Sequence, residues 1–183
     1  MAGAQICLIN GGGIRTNIEA GDVTIRSIIN LLPMNNSVTI VKATGQQIVD
    51  ALEVGAKTCP AVNGSFLQCS GIKYTVDTGI ANSLEVSEDN LLTVTGERRV
   101  KDVQVLQADG TYAPIDLNAK YTLVTNSFVA YAGGTIRVLR PAERLEDGMR
   151  SDTEITIAYF SEHFKNGVPS IYREPQGRIT VIK

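Results

Sequence analysis

The sequence predicts an α+β fold, a mixed set of β-strands packed with about three helices. Three observations carry this. Strand-type and helix-type apolar runs follow one another in no regular order, which argues against a repeating βαβ array. Two capping boxes, Thr44-Gly45-Gln46-Gln47 and Ser151-Asp152-Thr153-Glu154, stand directly before helical apolar periods. Several short runs alternate apolar and polar with the period of two that marks a half-buried strand. At 183 residues and 43% hydrophobic content the chain can bury a real core, and residues 1–183 read as one domain.

Taken in order, Met1-Ala2-Gly3-Ala4 is expected to lead into the first strand without a secretory leader, as at a domain boundary. Ile6-Cys7-Leu8-Ile9 is that short buried strand. It enters Asn10-Gly11-Gly12-Gly13-Ile14-Arg15. There the glycines permit positive φ and a close backbone approach, between an amide that donates and accepts and a guanidinium suited to carboxylate or phosphate. Taken alone, the glycines describe a tight turn with a solvent-facing Arg. A dinucleotide-binding loop fits less well, because no helix starts at Thr16–Gly21. Ile25, Ile28, Ile29 and Leu32 then recur as one helix face, capped by Asp22 or Thr24 and stopped by Pro33. Val38–Val41 is a β-branched strand, and the helix opened at Thr44 places Ile48, Val49, Leu52 and Ala56 on one face.

Further along, Ile72, Tyr74 and Val76 form an alternating strand, and Val103 and Val105 another. Asp109-Gly110 is a hairpin turn leading to Tyr112. Tyr121–Thr125 is a strand opening onto a loop at Phe128, and the helix opened at Ser151 carries Ile157, Phe160 and Phe164 on its apolar face. Ile179–Ile182 closes the chain as a strand. Arg137, Arg140 and Arg144, mixed with Glu143, Glu146 and Asp147, read as a solvated loop of both charges.

The order of these motifs resembles the C-terminal domain of the 5′-nucleotidase family, which includes periplasmic UDP-sugar hydrolases. In that family a strand enters N-x-G-G-I-R, followed by a Gly-Asp turn, a helix, P-F-x-N, a strand and a T-G helix start. Asn10, Gly12, Gly13, Ile14, Arg15, Gly21, Asp22, Pro33, Asn36, Thr44 and Gly45 fall in those places. The likeness continues through Phe66-Leu67-Gln68, Gly71-Ile72, Phe128 and Gly133-Gly134 to Glu174-Pro175-Gln176-Gly177-Arg178. It implies the family's α+β fold and a role in substrate recognition. By position, Asn10, Gly12, Gly13 and Arg15 would form the substrate loop, with Asn10 and Arg15 hydrogen-bonding the ligand. Phe128 would stack on a base, unless it anchors the loop in the core. Met34 stands where the family has the second stacking aromatic. Thr135, after Gly134, stands where the family has a ribose-binding Asp, and Tyr131 makes the Phe128–Gly133 segment one residue longer than usual.

Residues that are missing bound the chemistry. The family hydrolyses phosphoesters with two divalent metals held by His, Asp and Asn ligands in a separate N-terminal metallophosphatase domain. His163 is the single histidine here, so neither that metal site nor a Ser/Cys–His–Asp constellation can be assembled. The chain is therefore expected to bind no cofactor itself, to lack catalytic residues, and to depend on the N-terminal domain of the same protein for its two metals. A net charge of −2 gives no basic face for nucleic acid, and no apolar run approaches the ~18–20 residues of a membrane span. Cys59 and Cys69 flank a turn-rich stretch and either close a small disulfide loop or stay free; Cys7 is a small buried hydrophobe. Asn35 and Asn63 begin N-x-S sequons, and with the family they point to a secreted, periplasmic or cell-surface protein. Two functions stay open: recognition of a nucleoside or nucleotide for a 5′-nucleotidase-type hydrolase, and a non-catalytic binding or structural module with a decayed nucleotide site.

Overall fold

The computed structural model describes residues 3–86, 92–132, 137–148 and 150–183. Among these described residues, eleven strands and three α-helices make the α+β architecture. In chain order they are β1 (Ile6–Asn10), α1 (Ile25–Leu31), β2 (Val38–Thr44), α2 (Gly45–Gly55), β3 (Leu67–Ser70), β4 (Ile72–Asp77), β5 (Leu84–Val86), β6 (Leu92–Val94), β7 (Val100–Leu106), β8 (Tyr112–Pro114), β9 (Lys120–Asn126), β10 (Glu143–Glu146), α3 (Asp152–His163) and β11 (Ile179–Ile182). One sheet runs β10-β2-β9-β1-β3, a second β11-β4-β7-β8, and β5 pairs with β6. β1 and β9 are parallel neighbours, and β2 lies antiparallel on the other side of β9.

Helix starts follow the sequence chemistry. Thr44 and Ser151 each accept from the backbone amide three residues on, and the Gln47 and Glu154 side chains accept from the cap amides in return. At α1 the cap is Thr24, closed reciprocally by Ser27, which decides between the two candidates. Alternation then sorts β1. Ile6 and Leu8 join the main core with Val41, Ile48, Leu52, Leu67 and Leu123, while Cys7 and Ile9 face α3 on the sheet's other side. The apolar residues of β4 and β7 enter the same core. α2 is almost wholly buried between these layers, whereas α1 and α3 pack on each other and keep much apolar surface exposed.

Two local expectations change, and one open alternative is decided. Gly11–Gly13 form one turn of 3₁₀ helix without positive φ; what demands glycine is proximity, since a Cβ on Gly12 would lie 2.9 Å from Gly64 Cα. Residues 143–146 are exposed as expected of a charged stretch, yet they form edge strand β10 on β2. Charges on an edge strand are compatible with pairing on its other side. Cys7, Cys59 and Cys69 are free thiols, so the small disulfide loop is not formed.

Candidate functional site

β1 and β9 run in parallel, so their carboxyl ends, Asn10 and Asn126, emerge beside each other, and antiparallel β2 begins at the same end of the sheet. Three segments leave from there: 11–15, 33–37 and 127–132. Hydrogen bonds tie them together. The Arg15 amide donates to Leu31 O (2.9 Å), at the end of α1 just before Pro33 and Met34. The Ser127 amide donates to Ser37 O (2.8 Å). Asn126 Nδ2 donates to Asn10 Oδ1 (3.1 Å), and Asn126 Oδ1 accepts from the Val129 amide (2.9 Å). From the far side, Thr153 Oγ1 at the start of α3 donates to Leu32 O (2.7 Å), and the Asp152 amide donates to Asn36 O (2.8 Å). The sequence singled out residues on all three segments and left out Asn126, which joins the first to the third. Its one signal was an amide closing a β-branched strand two residues before an aromatic.

The site residues divide into a buried base and an exposed tip. Asn10 and Asn126 are 7% and 3% exposed, and an amide pair at that depth holds loops in place. Arg15 is exposed, with Nη1 donating to Gly12 O (3.1 Å), and makes no ion pair among the described residues. Met34 and Phe128 are 56% and 39% exposed. Phe128 is thus not a core anchor; Val129 and Ala130, each 1% exposed, pin the segment instead. That segment is a π-helical turn over Phe128–Ala132 rather than a free loop. Left-handed backbone at Asn35 (φ 50°) turns the chain directly after Met34. Gly134 and Thr135 lie outside the described residues.

Two cavities border the glycine turn. One of about 520 Å³ lies between Gly12, Arg15 and the 59–66 segment, where the Gly12 amide donates to Gly64 O (2.9 Å). It is walled by Pro60, Val62 and Phe66 rather than by Met34 or Phe128. The other, about 370 Å³ and mainly apolar, sits between the sheet and α3, lined by Cys7, Ile9, Asn10, Ile40 and Ile155. Burial pushes the Cys7 thiol pKa up, so it faces this cavity as a neutral group.

No set of three His, Cys, Asp or Glu side chains among the described residues is grouped to hold a metal. His163 stands at the end of α3 with Nε2 3.9 Å from Glu162 Oε2 and its ring 4.5 Å from that of Tyr159. This donor set does not fit a two-metal phosphoesterase centre, which needs several oxygen and nitrogen ligands converging on each ion. What the exposed residues offer, on three segments leaving one end of the sheet, is one cation and two flat or polarizable apolar side chains. That chemistry suits an anionic or polar group attached to an aromatic ring.

The family model for the 5′-nucleotidase C-terminal domain matches residues 1–140, and the chain belongs to that family. It is 32% identical over 178 residues to the trifunctional nucleotide phosphoesterase protein YfkN of Bacillus subtilis, covering 97% of this chain and 11% of that protein. To a 5′-nucleotidase of Vibrio cholerae it is 30% identical over 161 residues, covering 87% of this chain and 26% of the other. The crystal structure of a 5′-nucleotidase precursor from Thermus thermophilus superposes on all of this chain, which covers 32% of that one, with a TM-score of 0.83 at 33% identity. The chain thus spans no more than about a third of the length of these relatives.

Proposed function

We propose that this chain is the nucleoside- or nucleotide-recognition domain of a 5′-nucleotidase-type phosphoester hydrolase. What supports the reading is that exposed Arg15, Met34 and Phe128 stand on three segments leaving one end of the sheet, over the buried, hydrogen-bonded Asn10–Asn126 pair. An exposed aromatic at a pinned turn is the arrangement a base-stacking group needs, and such stacking contributes about 1–3 kcal/mol per base. Arg15 directs its guanidinium to the sugar–phosphate side of the ligand. Gly12 and Gly13 form the backbone turn beside it, and by family position Gly134 and Thr135 would face the ribose, a hydroxyl standing where the family has a carboxylate. Met34 closes the base from the opposite face with a softer, less planar surface than a ring.

Divalent metals, which in this reaction class clamp the attacking and leaving oxygens, belong to an N-terminal metallophosphatase domain outside this chain. The domain here binds and orients; by itself it hydrolyses nothing. A secreted, periplasmic or cell-surface setting follows from the family reading. No helix among the described residues is long and apolar enough to cross a membrane.

Calorimetric titration tests this. With Met34 in place of an aromatic and Thr135 in place of a carboxylate, adenosine and AMP should bind with dissociation constants of about 1 mM or weaker. Met34→Phe should tighten adenosine by about fivefold or more, since one restored stacking face is worth about 1–3 kcal/mol. Arg15→Ala should weaken AMP more than adenosine. No binding by the parent chain or by either substituted form would favour the module with a decayed site. Turnover of AMP by the purified chain would contradict the division of labour.

A further inference from the structure

The segment bearing Phe128 contains a residue more than its family pattern, Tyr131, and the structure shows where the additional residue goes. Phe128–Ala132 is π-helical, and a π turn is how a helix takes up one inserted residue without shifting what flanks it. The Tyr131 side chain is then carried toward the outer strands of the sheet. The Arg144 guanidinium, on β10, lies over its ring at 4.0 Å from the centroid. Its hydroxyl is buried near Thr39 and Asp147 without making a hydrogen bond to either. Those two groups are themselves joined, Thr39 Oγ1 donating to Asp147 Oδ1 at 3.0 Å, and Asp147 Oδ2 lies 3.6 Å from Arg144 Nη1.

The π turn is consequently fastened at both ends. Asn126 and Asn10 hold its start, through the Val129 amide. Tyr131 holds its finish, through β2 and β10. Phe128 stands between the two clamps with its side chain open to solvent.

We propose that Tyr131 is a positioning residue for base recognition: clamped under Arg144 against Thr39 and Asp147, it fixes the π turn and with it the orientation of Phe128. This rests on the nucleoside-recognition reading and adds to it a residue that touches no ligand. Preorganising the stacking group removes the cost of ordering it when ligand binds, which is where its effect on affinity originates.

Tyr131→Ala, Tyr131→Phe and Arg144→Met separate the contributions. Arg144 is about half exposed on an edge strand, so Arg144→Met removes the cation without emptying the core. The readouts are hydrogen exchange at the Val129 amide and the adenosine dissociation constant. Tyr131→Ala and Arg144→Met should speed Val129 exchange by about tenfold or more while leaving core amides such as Leu123 unchanged, the signature of local opening. Both should weaken adenosine by about fivefold, and Tyr131→Phe, which keeps the ring under Arg144, should retain most of the affinity. Unchanged Val129 exchange in Arg144→Met and in a folded Tyr131→Ala would overturn the proposal, whatever the ligand does. Faster exchange with unaltered adenosine binding would also overturn it, leaving Tyr131 a purely structural residue. Faster exchange in a chain whose parent form binds no nucleoside would uphold the clamp and sink the nucleoside reading instead.

Discussion

Gly12 shows most plainly how a single residue serves the site. Its amide donates to Gly64 O, and the two backbones pass so closely that a Cβ would meet Gly64 Cα at 2.9 Å and Gly64 O at 3.0 Å. Backbone cannot step aside as a flexible side chain can, so Gly12→Ala should destabilise the fold by about 1–3 kcal/mol, the usual cost of overpacking. Gly13 differs. A Cβ there would lie 3.5 Å from Asn10 Oδ1, ordinary contact, and Gly13→Ala should cost less than about 1 kcal/mol. Urea unfolding of the two variants checks this, and equal losses would mean that conformation rather than proximity selects glycine in the turn. The sequence made the glycines conspicuous for backbone freedom. Their actual constraint comes from residue 64, far along the chain, which no local pattern contains.

At the scale of elements, the carboxyl end of α2 is held by two charged side chains that sequence reading passed over. Glu53 is fully buried, and its carboxylate accepts from the Arg99 amide (2.9 Å) and the Val100 amide (2.8 Å) at the start of β7. Arg99 returns along the helix end, donating to Ala56 O (3.1 Å), Lys57 O (3.1 Å) and Cys59 O (2.8 Å). A cation there satisfies orphan carbonyls and suits the negative end of the helix dipole. Glu53→Gln would replace one accepting oxygen by a donor facing an N–H. It should therefore lose about 1–3 kcal/mol in chemical denaturation; a change below about 0.5 kcal/mol would show that Glu53 is not a structural acceptor.

The cap of α3 gives a pH-dependent counterpart. The Ser151 amide, then the Ser151 hydroxyl, bonds the Glu154 carboxylate and holds its pKa below the usual range. A lowered folded pKa gives stability that is complete above the unfolded value of about 4.3 and is lost as pH falls through the folded value. The first turn of α3 should accordingly loosen below about pH 4, with the effect removed in Glu154→Gln. Amide exchange at Glu154 followed from pH 6 to pH 3 checks this, and a first turn equally firm across that range would contradict it. Such caps were legible in the sequence because both partners lie within four residues. β3 and β10 were not: Leu67–Ser70 is four residues long, and Glu143–Glu146 presents no apolar alternation. Their pairing is decided by distant strands. Phe128 and Met34 were singled out only through the family pattern, Arg15 also by its place beside the glycines, while Asn126 and Tyr131 make contacts across the sheet that no local pattern contains.

For the whole molecule, the architecture puts its closed core and its exposed candidate site at different places. The core around α2 is closed and apolar, while the end of the sheet where β1 and β9 finish carries exposed Arg15, Met34 and Phe128. A nucleoside bound there would touch side chains from three segments and little of the core. The mainly apolar cavity behind the same strands, against α3, gives an internal comparison, because it would take an apolar ligand by a different set of residues. Mapping amide shifts by NMR as adenosine is added to the chain separates the two most directly. The amides of Arg15, Met34 and Val129 should shift together on a single saturation curve while those of Ile155 and Thr156 stay still. Shifts confined to the α3 side of the sheet, or none at millimolar adenosine, would contradict the nucleoside reading.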